Sequence, residues 1–357
     1  MISIKAKLSK DIFQEDIEKV ATRQGYGEGL VEAGRRDERV VALCADLTES
    51  TRTDLFKKEF PDRFIEVGVA EQAMATIAAG MANYGKIPFI SSYAAFSPGR
   101  NWEQIRTTIA LNNVPVKIGG HHTGVSVGPD GATHQMLEDI ALMRAMPNMI
   151  VIAPCDVHEA KKATIEAAFN GKPTYLRFAR EKTPVFTTSD TPFKIGKAEI
   201  LWDSISNSKS ETRNPKQIPN PKFQTPNSAA IIGCGPLVYE ALLAAKQLEE
   251  EGVGAMVINC HTVKPIDEKI IIEAAKTCGA IVSVEEHQIT GGLGSAVAEV
   301  VVSGLPAGRQ VPMEFIGMPD HFGESGEPEE LLEKYGMKAQ HIVEAVKKLL
   351  KGRIIKI

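Results

Sequence analysis

Arg39-Val40-Val41-Ala42-Leu43-Cys44-Ala45, followed by Phe64-Ile65-Glu66-Val67-Gly68-Val69-Ala70-Glu71-Gln72, is the stretch that decides the fold. The first opens on a β-branched and apolar run that reads as a buried strand ending at Asp46, and Phe64-Ile65-Glu66-Val67 reads as a second strand. The second run then passes into a small-residue helix over 70–84 that closes at Gly85. Strand, turn and helix in repetition is the form of βαβ units around a parallel sheet.

Working outward, the same alternation predicts strands at 88–92, 114–119, 149–153 and 174–178. It predicts helices from a Thr22 N-cap to about residue 36, and over 101–111, 134–145 and 157–170. The composition changes at DSISNSKSETRNPKQIPNPKFQTPN, residues 203–227, which is polar, interrupted by proline and without periodicity, so it reads as a linker. A second series follows, with strands at 229–233, 255–259, 280–284 and 313–316 and helices over 238–251, 268–277, 293–303, 328–334 and 339–351. For 357 residues, at roughly 150 per domain, the expectation is two α/β domains, 1–202 and 228–357. Each is a mostly parallel sheet with helices on both faces.

Apolar residues make up 43% of the chain, enough for a sizeable core. A net charge of -4 with scattered basic residues argues against a nucleic-acid or anionic-membrane surface. No run approaches the 18 or so apolar residues of a membrane span, and the first residues lack a leader's apolar segment, so a cytoplasmic protein is expected. Cys44, Cys155, Cys234, Cys260 and Cys278 are far apart, with no CxxC, and read as reduced buried thiols.

In a parallel sheet, ligands bind at the carboxyl ends of the strands. Asp46, Glu71, the pair Tyr93 and Phe96, and His121-His122 each fall just after a predicted strand. The loop from His122 to His134 is glycine-rich and brings several histidines together, the side chains best suited to move protons near neutral pH. Taken singly, each has a plain structural explanation. Glu71 suits a helix N-terminus through the dipole, the aromatics suit a core, and the histidines suit backbone hydrogen bonds. Their convergence on one rim favours a site.

The segments Ala21-Thr22-Arg23, Cys44-Ala45-Asp46-Leu47, E66-V-G-V-A-E-Q72, Y93-A-A-F96, Ile105-Arg106, G128-P-D-G-A-T-H-Q135 and V282-S-V-E-E-H287 together resemble transketolase. The likeness is to the pyrimidine-binding and C-terminal domains, as found where the enzyme is split into two subunits. It implies a thiamine diphosphate enzyme that transfers a two-carbon ketol unit between sugar phosphates. By resemblance, Glu71 is the carboxyl group against the aminopyrimidine ring, Tyr93 and Phe96 form its aromatic pocket, and Asp46 lies near the cofactor at the subunit boundary. His134 matches the residue at the donor's carbonyl end, Asp130 one that reads a sugar hydroxyl, His122 one near the phosphate, and Arg180 the phosphate-binding arginine. Arg177 is the less suitable phosphate partner, and Pro98-Gly99-Arg100 departs from the family's third aromatic or basic position.

The family holds Mg2+ and the diphosphate through Gly-Asp-Gly followed further along by Asn, and no Gly-Asp-Gly occurs in these 357 residues. The resemblance therefore implies that this chain supplies no metal ligands. It also implies an N-terminal transketolase subunit that carries the motif, in an α2β2 assembly in which this chain pairs with its own copy. Two other readings stay open. One is a related subunit, of the 1-deoxyxylulose-5-phosphate synthase or 2-oxo acid dehydrogenase beta type; the other is a non-catalytic homologue. In the second half, Glu285, Glu286 and His287 read equally as an interface or a solvated strand end, Gly291 to Gly294 as a tight turn, and 304–310 has no assignable role.

Overall fold

The computed structural model describes residues 1–205 and 227–354. Most of the expected linker, 206–226, lies outside them. The strands, in chain order, are β1 (Lys19–Ala21), β2 (Val40–Cys44), β3 (Phe64–Glu66), β4 (Ile87–Tyr93), β5 (Lys117–His121), β6 (Ile150–Ile152), β7 (Thr174–Arg177), β8 (Lys182–Pro184), β9 (Glu199–Asp203), β10 (Ser228–Gly233), β11 (Gly254–Asn259), β12 (Thr262–Lys264), β13 (Ala280–Gln288) and β14 (Met313–Met318). A seven-stranded sheet has the order β12-β6-β7-β5-β4-β2-β3, and a five-stranded sheet the order β14-β13-β10-β11-β9. All pairings in these sheets are parallel except the edges, where β12 runs antiparallel to β6 and β9 antiparallel to β11. The chain is α/β, as its alternating pattern predicts.

The halves exchange edge strands. β9 precedes the polar segment but joins the second sheet, and β12 follows it but joins the first. Both are short edge strands that the apolar pattern does not mark. One apolar cluster runs from Ala78, Ile109 and Ile118 in the first half to Ile232, Ile258 and Val297 in the second, so the two sheets share a core.

Helix Thr22–Arg36 lies against helix Val157–Phe169 on the outer face of the first sheet. A Cβ on Gly25 would come 2.1 Å from the Val157 carbonyl oxygen, so only glycine permits this approach. Thr22 is the first helical residue rather than the cap, and its hydroxyl accepts from the Ala179 amide at 2.8 Å. The helix expected over 134–145 is confined to Asp139–Arg144. Upstream of it the backbone is committed elsewhere: Met136 accepts from the Gly124 amide, and Gln135 is used to tie a loop. The segment expected to be one helix over 101–111 is a turn at Trp102–Gln104 followed by a π-helical stretch, Ile105–Ala110.

All five cysteines are buried, and none forms a disulfide. Glu285, Glu286 and His287 are buried rather than at a solvated strand end, at 1%, 4% and 0% exposure. No helix among the described residues is long and apolar enough to cross a membrane.

Candidate active site

The carboxyl ends of β2, β3, β4, β5 and β7 open on one rim, because these strands are parallel neighbours. The Glu66 carboxylate ties the ends of β2 and β3 together, accepting from the amides of Asp46 at 2.8 Å and Gly68 at 3.0 Å and from the Thr48 hydroxyl at 2.9 Å. That fixes the turn that delivers Glu71 as the first residue of helix Glu71–Asn83.

Glu71 is 2% exposed. Its carboxylate accepts from the Arg100 guanidinium at 2.7 Å, and its carbonyl from Asn101 Nδ2 at 3.0 Å. Arg100 lies over the Phe96 ring, 4.7 Å from the centroid. Phe96 and Tyr93 are near-parallel at 5.9 Å, and His122 stacks on Tyr93 at 3.7 Å. His134 meets Tyr93 and Phe96 edge-on, at 6.1 and 5.5 Å. Glu71, Tyr93, Phe96, His122 and His134, named from the sequence, thus form one continuous wall, with Arg100 as the link between the carboxylate and the rings.

His122 adopts a left-handed backbone, φ 55°, at the end of β5. Burial, with Arg23, Arg180 and His134 nearby, pushes its pKa down to about 3. It is therefore a neutral imidazole at neutral pH, and its buried Nδ1 has no hydrogen-bond partner among the described residues.

Arg180 is half-buried and donates to the Val127 carbonyl at 2.8 Å and to Glu181 at 3.0 Å. Arg23, which the sequence reading did not assign, joins it. The Arg23 guanidinium pKa is lowered by burial and then by Arg52 and Arg180; one nitrogen donates to the Ser50 carbonyl at 2.9 Å, while its buried Nε has no partner among the described residues. Crowded guanidiniums and an orphan donor beside a neutral imidazole suit an anion with further oxygens. One signal could have revealed Arg23: it is a cation in the first turn of a helix, where the dipole disfavours positive charge.

Asp46 and Asp130 differ from the wall residues in having exposed side chains at the rim. Arg177 is buried, held by Asp139 at 2.8 Å, and is committed to structure. A buried carboxylate at a helix N-terminus beside two stacked aromatics fits a flat, nitrogen-bearing heterocycle. No group of three or more His, Cys, Asp or Glu able to hold a metal ion occurs among the described residues.

Residues 18–185 match the transketolase pyrimidine-binding domain, and 224–342 the transketolase C-terminal domain. A protein of Methanocaldococcus jannaschii named as a transketolase C-terminal section is 43% identical over 331 residues, covering 92% of this chain and 96% of that one. The chain belongs to the transketolase family. Among its transketolase relatives, a 6-deoxy-6-sulfo-D-fructose transketolase subunit of a Clostridium species is 35% identical, across 93% of this chain and 95% of that one. A split-gene transketolase, described as an inactive beta4 tetramer, superposes with a TM-score of 0.80 at 40% identity and covers 93% of this chain and 99% of its own. Rat transketolase is 37% identical, but this chain spans only 49% of it.

Proposed function

We propose that this chain is the pyrimidine-domain subunit of a split transketolase, which transfers a two-carbon ketol unit from a ketose phosphate to an aldose phosphate. The observation that carries the reading is the wall running from Glu71 through Phe96 and Tyr93 to His122, set beside the Arg23 and Arg180 guanidiniums.

Bound thiamine diphosphate supplies the carbanion chemistry that breaks and remakes the carbon–carbon bond. Glu71 would hold and exchange a proton at the aminopyrimidine ring, and Tyr93 and Phe96 would hold that ring flat. Arg100 holds one oxygen of that carboxylate, and its 44% exposure leaves it free to move aside for the ring. His134 would orient the donor's carbonyl end and hydroxyls and His122 would lie near its phosphate, with Asp130 on a sugar hydroxyl and Asp46 near the cofactor. Arg180 and Arg23 would bind the phosphate.

In this proposal Mg2+ and the diphosphate are held by a partner, an N-terminal transketolase subunit carrying Gly-Asp-Gly, in an α2β2 assembly. The name of the Methanocaldococcus relative, a C-terminal section, supports a second polypeptide. So does the helix that begins at Glu71, around which Val69, Ile77 and Tyr84 are 70%, 44% and 92% exposed. Five buried cysteines without a disulfide suit a reducing cytoplasm.

A second donor class is favoured by one observation. The Clostridium relative is named for a sulfonated ketose, and forked guanidiniums bind a sulfonate as readily as a phosphate. Titration of thiamine diphosphate and Mg2+ into the chain alone, and into its mixture with a Gly-Asp-Gly subunit, tests the shared site. Saturable tight binding is expected only in the mixture, and equally tight binding to the chain alone would refute it.

A further inference from the structure

The loop that carries His122, Asp130 and His134 is not held by its own domain alone. Glu286, at the end of β13 in the second half, reaches across to it. Its carboxylate accepts from the Ser126 amide at 2.6 Å. The approach is so close that a Cβ on Gly124 would fall 2.3 Å from Glu286 Oε1, and Gly124 has φ +83° besides. From the other side the Arg177 guanidinium donates to the Glu286 carbonyl at 2.8 Å, so the strand end that presents the carboxylate is itself fixed.

A second set of contacts closes the loop's far end. Gln135 Nε2 donates to the carbonyls of Val125 at 3.0 Å, Gly128 at 3.3 Å and Glu324 at 2.9 Å. The loop's own backbone bonds, such as Gly131 to the Gly128 carbonyl and His134 to the Gly131 carbonyl, lie beyond Gly128, which breaks its 3-10 turn with φ 78°, ψ -118°.

We propose that Glu286 is a positioning residue: by binding the Ser126 amide, the C-terminal half sets the loop that places His122, Asp130 and His134 on the sugar. A buried carboxylate on a backbone amide is a strong, directional anchor, and a loop displaced by about 1 Å can cost on the order of a hundredfold in rate. The inference rests on the proposed transketolase function for its kinetic consequence but not for its structural one.

The experiment compares Glu286→Ala, Glu286→Gln and Gly124→Ala in the full chain. Amide hydrogen exchange is read on the chain alone, and kinetics on the complex with a Gly-Asp-Gly subunit. In Glu286→Ala, exchange over 125–128 should rise at least about tenfold while β5 stays protected. Donor KM should rise and kcat fall, with half-saturation by thiamine diphosphate unchanged, because Glu71, Tyr93 and Phe96 lie on other elements. Glu286→Gln keeps an accepting oxygen and should restore both readouts. Should Glu286→Ala fail to fold, Gly124→Ala displaces the carboxylate without removing it and should give the same pattern. Unchanged exchange over 125–128 in folded Glu286→Ala or Gly124→Ala, or a loss of cofactor binding in step with donor binding, overturns the proposal. Faster exchange in the Glu286→Ala chain, together with a wild-type complex that transfers no ketol unit, would uphold the loop's anchoring and refute the assigned function instead.

Discussion

Arg100 donates to the Glu71 carboxylate at 2.7 Å while lying over the Phe96 ring. The group that would meet a cofactor's aminopyrimidine is therefore already paired, by a side chain from the next loop of the same wall. Glu71 is buried and Arg100 is 44% exposed, so the arginine is the member free to move.

Removing Arg100 removes a competitor for the carboxylate. Arg100→Ala should tighten half-saturation by thiamine diphosphate about two- to fivefold, the scale of a partly exposed ion pair of about 0.5–1 kcal/mol. Titrating cofactor into the reconstituted complex checks this. Weaker binding would mean that Arg100 itself holds the cofactor.

The guanidiniums next to His122 are assigned to the anionic end of the substrate. Arg23→Ala and Arg180→Ala should each raise donor KM about tenfold or more with a smaller change in kcat, the pattern for contacts shared by ground and transition states. Initial rates with phosphorylated and unphosphorylated ketoses separate this from general damage, because an unphosphorylated donor should not respond.

Arg177 and Asp139 form an ion pair at 4% and 0% side-chain exposure, and Tyr175 also donates to Asp139, at 2.7 Å. Asp139→Ala leaves a buried guanidinium without its carboxylate, and should cost about 3–5 kcal/mol. Thermal unfolding of the chain reads this. A change in melting temperature of less than a degree would show that the cation finds other partners.

His122 supplies a prediction about pH. Its folded pKa is lowered to about 3, against an ordinary value of 6.5, chiefly by burial. Between those values the unfolded chain binds the proton that the folded chain refuses, so stability falls as pH drops below about 6.5. Each such group contributes up to about 1.4 kcal/mol per pH unit. His121, held well below its ordinary value by burial, and His261, pushed down to about 3 by burial, act with the same sign. His122→Phe keeps a ring against Tyr93 but removes one titration, so unfolding measured from pH 6.5 to 5 should lose about one proton's worth of slope. An unaltered slope would show that His122 takes up its proton in the folded chain as readily as in the unfolded one.

The parallel sheets were legible because Val40 to Ala45 is an apolar run buried throughout, a signal that local sequence carries, while Phe64 to Val67 is a half-exposed edge strand marked by the helix that follows it. β9 and β12 were not, because a short edge strand has little apolar pattern and is defined by the neighbour it pairs with. The wall of Glu71, Tyr93, Phe96, His122 and His134 could be listed from strand ends, since topology alone brings those ends together. Arg100's bond to Glu71 and Glu286's bond to Ser126 span 29 and 160 residues, and no local spacing announces them. The helix expected over 134–145 failed for a related reason, as Gln135 and Met136 are recruited to brace the loop before them.

The most direct test of the proposed function is ketol transfer from xylulose 5-phosphate to ribose 5-phosphate, with thiamine diphosphate and Mg2+. It is measured for this chain alone, for its mixture with a Gly-Asp-Gly subunit, and for the same mixture carrying Glu71→Ala. Turnover is expected only in the wild-type mixture, with the variant folded and retaining no more than a few per cent. Equal turnover by the chain alone, or by the Glu71→Ala mixture, would contradict the account.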